Sequence, residues 1–102
     1  MSKDKILSAE EVIEEASRYL TEEDAGFIRR AYEFAEQAHK DQFRKSGEPY
    51  IIHPIQVAGI LVNLEMDPET IAGGFLHDVV EDTEVSIEEI EETFNTEVAM
   101  LV

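Results

Sequence analysis

The sequence predicts an all-α domain of about five to six helices. Apolar residues recur at spacings of three and four along most of the chain. Ser, Thr or Asp residues of the kind that cap helices stand immediately before several of these stripes. No segment alternates apolar and polar residues over the length a strand needs.

Taken in order, Ser8-Ala-Glu-Glu11 reads as a capping box that opens a first helix, whose stripe is Val12, Ile13, Ala16, Tyr19 and Leu20. Residues 1–7 read as a frayed start. Thr21-Glu-Glu-Asp24 opens a second helix with the face Phe27, Ile28, Ala31, Phe34, Ala35 and Ala38, expected to end near Asp41 to Phe43. Arg44-Lys-Ser-Gly47-Glu-Pro49 is a turn-rich loop. Pro54 suits the first position of a third helix, because its missing N–H has no intrahelical partner there, and Val57, Ile60, Leu61 and Leu64 are the expected buried line. Asp67-Pro68 opens a fourth helix by the same logic. Ala72, Gly73 and Gly74 within it permit close approach of another helix, and packing must offset about 1 kcal/mol for each glycine. Glu81 to Val85 reads as a loop. Ser86-Ile-Glu-Glu89 caps a short helix ending near Asn95, and Thr96 is the expected cap of a last one. Phe75 and Met100 are expected in the core, and Glu88 to Glu92 on a solvated face.

Composition narrows the function classes. At 102 residues with 43% hydrophobic content the chain is at most one small domain and is not disordered by composition. It has no Cys, which excludes disulfides and thiolate metal sites. No apolar run reaches membrane-span length and no secretory leader is present, so no membrane association and a cytoplasmic location are expected. The net charge of −16 argues against direct nucleic-acid binding. All eight Lys and Arg lie between Lys3 and Lys45, and the 13 acidic residues from Ser46 onward have no basic neighbour in sequence. An anionic ligand must therefore meet Arg44, Lys45 and a bound cation.

Two segments carry the chemistry, Tyr50-Ile-Ile-His53-Pro54 and Phe75-Leu-His77-Asp78-Val-Val-Glu81-Asp82-Thr83. Two imidazoles and a carboxylate on separate elements suit a divalent transition ion. If the third and fourth helices pack antiparallel, the start of one meets the end of the other, and His53, His77 and Asp78 converge. Glu81 and Asp82, four residues after His77 and Asp78, then rim the same place as candidates for orienting or deprotonating a water. Arg44, Lys45 and Ser46 can hold an anionic substrate, Arg through its planar fork and Lys as a point charge. His39, near a helix end, is expected to be structural, with its ring meeting terminal carbonyls. These residues alone support a metal-dependent hydrolase of a phosphate-bearing substrate, or a helical module that binds nucleotide or protein without chemistry.

Arg44-Lys-Ser-Gly-Glu-Pro-Tyr-Ile-Ile-His53-Pro followed by Gly74-Phe-Leu-His-Asp-Val-Val-Glu-Asp-Thr83 resembles the start of the hydrolase domain of RelA/SpoT-type alarmone enzymes, and most of all the long bifunctional Rel enzymes of Gram-positive bacteria. The resemblance implies the helical HD-superfamily fold and manganese-dependent removal of the 3′-pyrophosphate from guanosine 3′,5′-bis(diphosphate), within stringent-response alarmone metabolism. It implies His53, His77 and Asp78 as metal ligands, Glu81 and Asp82 as the carboxylates acting on water and substrate, and Arg44, Lys45 and Ser46 as the loop holding guanosine tetra- or pentaphosphate. The family's fourth ligand, an Asp within an Ala-Asp-Arg-Leu-His-Asn-like motif, has no counterpart here. Residues 1–102 are accordingly expected to be the N-terminal portion of an HD hydrolase domain, weak or inactive alone. The apolar ending Val98-Ala-Met-Leu-Val102 and the small residues of the fourth helix are expected to leave a face that pairs in a homo-oligomer.

Overall fold

The computed structural model describes residues 8–40, 42, 43, 47 and 49–102. Six helices follow one another, α1 (Ala9–Ser17), α2 (Glu22–Ala38), α3 (Ile52–Asn63), α4 (Pro68–Asp82), α5 (Ile87–Thr93) and α6 (Thr96–Leu101). The only strand-like pairing among the described residues is a single antiparallel bridge between Phe43 and Pro49. The domain is a flat bundle of 38 × 35 × 17 Å.

Local chemistry sets most helix starts. Ser8 accepts from the Glu11 N–H while Glu11 accepts from the Ser8 N–H, which satisfies two donors that α1 leaves without intrahelical partners. Thr21, Asp67, Ser86 and Asn95 each accept from the amide three residues on. The cap of α6 is therefore Asn95 and not Thr96, whose hydroxyl donates to Glu91 instead. With Asn95 committed to that cap, α5 ends at Thr93.

α4 is the hub of the bundle. It packs against α2, α3 and α6, and α1 closes over α2 and α3. Its Ile71, Ala72, Phe75, Leu76 and Val79 are fully buried, with Ile28, Ala31 and Ala35 of α2 also in this core. Tyr32 sets its ring edge-on to Phe75, with centroids 5.6 Å apart. Its hydroxyl donates to Glu36, and burial, reinforced by that carboxylate, pushes its pKa up to about 12.

The small residues of α4 do what their positions suggested. A Cβ on Gly74 would stand 2.8 Å from Leu61 Cδ1 and 3.4 Å from Val57 Cγ1, and one on Gly73 would stand 3.5 Å from Leu101 Cβ. Gly74 thus lies tightly against α3, whereas Gly73 makes an ordinary van der Waals approach to α6. This close approach overturns the expected buried line of α3. Pro54, Ile55, Ala58, Gly59 and Val62 are buried, whereas Ile60 and Leu64 are exposed and Val57 and Leu61 are half-buried. Against Gly74 itself stand Leu61 and Val57, with the Ala58 backbone 3.8 Å from where its Cβ would be. Met100 is also corrected, being 81% exposed, while Phe75 is buried as expected and Glu88, Glu89, Glu91 and Glu92 are all exposed.

Three further helix bounds differ from expectation. α2 stops at Ala38, where His39 leaves helical geometry. α3 begins at Ile52, two residues before Pro54, which still falls among the first-turn residues whose N–H has no intrahelical partner. α4 runs on through Glu81 and Asp82 until extended Thr83, whose hydroxyl caps the Val79 carbonyl at 2.6 Å.

α3 ends in a Schellman motif. The Met66 N–H reaches the Leu61 carbonyl, the Glu65 N–H reaches the Val62 carbonyl, and Glu65 takes a φ of 56°. Glu65→Gly should therefore stabilise the domain by about 1 kcal/mol, because glycine adopts this conformation without a Cβ penalty. Gly74→Leu should destabilise it by about 1–3 kcal/mol by forcing α3 and α4 apart. Thermal or urea melts of the two variants check both signs.

Candidate metal centre

The antiparallel packing of α3 on α4 places the first turn of one beside the last turn of the other. Gly74 lies against Val57 and Ala58, so one turn further along each helix Asp78 lies against His53. His53 Nε2 is 3.6 Å from Asp78 Oδ2, and His77 Nδ1 is 3.0 Å from Asp78 Oδ1. Two imidazoles thus flank one carboxylate. The Asp78 side chain is only 12% exposed, against 45% for His53 and 60% for His77. The site is a buried carboxylate with an open imidazole rim.

Because α4 continues to Asp82, Asp78, Glu81 and Asp82 fall at i, i+3 and i+4 on one helix side. One carboxylate oxygen from each lies within 4.8 Å of the others. Three carboxylates this close repel one another, and they sit at the negative end of α4, whose last turn has no basic residue. A cation is the natural counterweight. Two donors bound about 2.1 Å from one ion lie roughly 3.0–3.5 Å apart in octahedral or tetrahedral geometry. The 3.0 and 3.6 Å contacts run to different Asp78 oxygens, and the group close enough as it stands to share one ion is Asp78, Glu81 and Asp82, with the two imidazoles beside it; two imidazoles plus carboxylate suit a transition metal more than calcium. A second acidic group among the described residues, Asp67, Glu69 and Glu97, is likewise made of carboxylates alone, with no imidazole contact beside it among those residues.

Glu81 and Asp82 are exposed at the rim, as the sequence led one to expect, but on a helix and not a loop. Asp82 is anchored twice. Tyr50 Oη donates to its Oδ2 at 2.5 Å, and Gln42 Nε2 donates to its main-chain carbonyl at 2.7 Å. Both partners come from the segment joining α2 and α3. An open cavity of about 700 Å³ lies beside Asp82, lined also by Gln42, Thr83, Glu84 and Glu89. Arg44, Lys45 and Ser46, the candidate anion-binding residues, lie outside the described residues.

His39 meets other partners than the terminal carbonyls expected for it. It is 2% exposed, and its ring does not serve the α2 carbonyls. Nδ1 is 2.8 Å from Gln42 Oε1, and the ring stacks on Tyr50 with centroids 4.7 Å apart and planes 23° off parallel. Since Gln42 Nε2 donates to Asp82, its Oε1 is left to accept, so His39 Nδ1 carries the proton. His39 Nε2 is buried with no hydrogen-bond partner among the described residues. Gln42 and Tyr50 were not singled out from sequence as site residues. The available signal was position: Tyr50 stands three residues before His53, inside the same motif. Gln42→Ala would strip the His39 ring of its hydrogen-bond partner and free the Asp82 carbonyl. A loss of about 2 kcal/mol is expected in urea melts.

The described helices include none long and apolar enough to cross a membrane. Residues 31–102 match the family model described as HD domain. The chain is 50% identical over its full 102 residues to guanosine-3′,5′-bis(diphosphate) 3′-pyrophosphohydrolase of Aquifex aeolicus. It is 48% identical over 86 residues, or 84% of its length, to a GTP pyrophosphokinase of Myxococcus xanthus. It is 46% identical over 84 residues, or 82% of its length, to the bifunctional (p)ppGpp synthase/hydrolase SpoT of Escherichia coli K12. The matches cover 14%, 11% and 12% of those relatives, respectively. A match to this family implies dependence on a divalent metal.

Proposed function

We propose that this chain, which belongs to the HD domain family, provides the metal-binding half of a manganese-dependent pyrophosphohydrolase acting on guanosine 3′,5′-bis(diphosphate). The observation that carries the reading is the convergence of His53 and His77 on the two oxygens of Asp78, with Glu81 and Asp82 one helical turn along. The names of the similar proteins supply the substrate. In this reading residues 1–102 are the N-terminal portion of an HD hydrolase domain, working in the cytoplasm.

His53, His77 and Asp78 hold the cation. When bound it supplies Lewis acidity toward a phosphoryl oxygen and makes water a stronger nucleophile at neutral pH. The chain's own carboxylates do the rest. Glu81, exposed at the rim one helical turn from Asp78, accepts the proton of the attacking water. Asp82, fixed by Tyr50 and Gln42, orients water and substrate. Arg44, Lys45 and Ser46 bind the nucleotide, because the remaining sequence offers an anion no basic side chain after Lys45. One water is consumed and the ester bond between the 3′ oxygen and the diphosphate breaks, releasing pyrophosphate and a guanosine nucleotide with a free 3′ hydroxyl.

The test is pyrophosphate release with Mn²⁺, beside His77→Ala and Glu81→Gln. Release should be slow, because the described side chains supply three ligands, and it should fall to background in both variants. Mn²⁺ should raise the melting temperature of the wild type and of Glu81→Gln, but not of His77→Ala. Release that survives His77→Ala would overturn the reading. Uptake of Mn²⁺ at His77 without release would favour a binding module lacking chemistry, the reading that three ligands also allow.

The exposed Met100 and Leu101 of α6 support a homo-oligomer formed through that face. Light scattering should show a mass that rises with concentration, and a constant monomer mass rejects this.

A further inference from the structure

His39, Gln42, Asp82 and Tyr50 form a closed ring of contacts. His39 Nδ1 donates to Gln42, Gln42 donates to the Asp82 carbonyl, Tyr50 donates to the Asp82 carboxylate, and Tyr50 stacks back on His39. The ring is tied to the metal-site backbone. The Tyr50 N–H donates to the Gln42 carbonyl at 3.0 Å, and the His53 N–H donates to the Tyr50 carbonyl at 3.2 Å. Tyr50 therefore cannot shift relative to Asp82 without disturbing His53. Its hydroxyl is the rigid end of a lever whose fulcrum is a buried imidazole.

That lever acts on a carboxylate near enough to be a ligand. An Asp82 oxygen lies within 4.8 Å of oxygens of both Asp78 and Glu81, so a cation held at Asp78 is within reach of a small change in the Asp82 rotamer. One Asp82 oxygen is already occupied by a short hydrogen bond from a phenol. Such a bond both fixes the side chain and draws down the charge it can offer a metal. We propose that Tyr50 is a positioning residue that keeps Asp82 outside the cation's coordination shell, leaving it to face water and substrate. The inference rests on the metal-binding reading of His53, His77 and Asp78.

The experiment uses the full chain and Mn²⁺ alone. Tyr50→Phe keeps the ring and its stack on His39 but removes the hydroxyl. Freed, Asp82 joins the shell or at least presents its full charge, and either raises affinity. Titration calorimetry should show Mn²⁺ binding about tenfold tighter, the lower end of what an outer-shell partner is worth. In an Asp82→Asn background, adding Tyr50→Phe should change affinity by less than about twofold, because the hydroxyl then has no carboxylate to restrain. Water-proton relaxivity of the bound Mn²⁺ gives an independent reading that does not need the tyrosine variant. Asp82→Asn should leave the number of coordinated waters unchanged, and a gained water would show that Asp82 was a ligand all along. Unchanged or weaker binding in Tyr50→Phe, or an equal gain in the Asp82→Asn background, overturns the proposal. Binding that ignores His77→Ala overturns the underlying site reading, and the proposal with it. Binding that depends on His77 but not on Tyr50 overturns the proposal alone.

Discussion

The contact between α3 and α4 at Gly74 is the constraint on which the rest depends. There α4 supplies a glycine, and α3 meets it with the side chains of Leu61 and Val57 and the backbone of Ala58. That seat fixes the register between the two helices. Register in turn decides that the residue one turn beyond Gly74 faces the first turn of α3. Asp78 and His53 meet because of a glycine four residues away. A bulky residue at Gly74 would displace the site without touching any of its side chains.

The cost of this arrangement is electrostatic. Asp78 is the one carboxylate that the described residues bury, and it does so at the C-terminal end of a helix, with Glu81 and Asp82 beside it. No Lys or Arg follows Lys45, so the compensation comes from His53, His77 and the N-terminal end of α3. A site that tolerates this much uncompensated negative charge is built around something positive. Structural ion pairing would have used an arginine.

Helix starts were legible because capping is local: Ser8, Thr21, Asp67 and Ser86 each reach an amide only three residues on. The buried face of α3 was not legible. Its sequence is apolar almost all round, so periodicity has no polar side to contrast with, and the small residues that mark the true contact carry little hydrophobic signal. The end of α4 was misjudged because Glu81 and Asp82 look like loop residues, while the stop is Thr83 bonding back to Val79. At the site, His53, His77 and Asp78 stood out because polar groups inside apolar runs need a reason. The parts Tyr50, Gln42 and His39 play did not stand out, since each spans tens of residues or a ring stack to act, and nothing in a linear spacing encodes that.

The uneven distribution of charge has a kinetic side. Every described cation belongs to α1, α2 or the residues flanking them, while the exposed carboxylates of α5 and the end of α4 line the approach to the cavity beside Asp82. A polyphosphate drifting in from solution meets a repulsive potential over most of the surface. Its encounter rate is slowest in dilute buffer and rises as salt shortens the reach of that field, the reverse of the behaviour of a basic nucleotide-binding cleft. A divalent counter-ion travelling with the polyphosphate relieves the same barrier. An anion that carried such a counter-ion would meet a weaker field at this face than the bare anion.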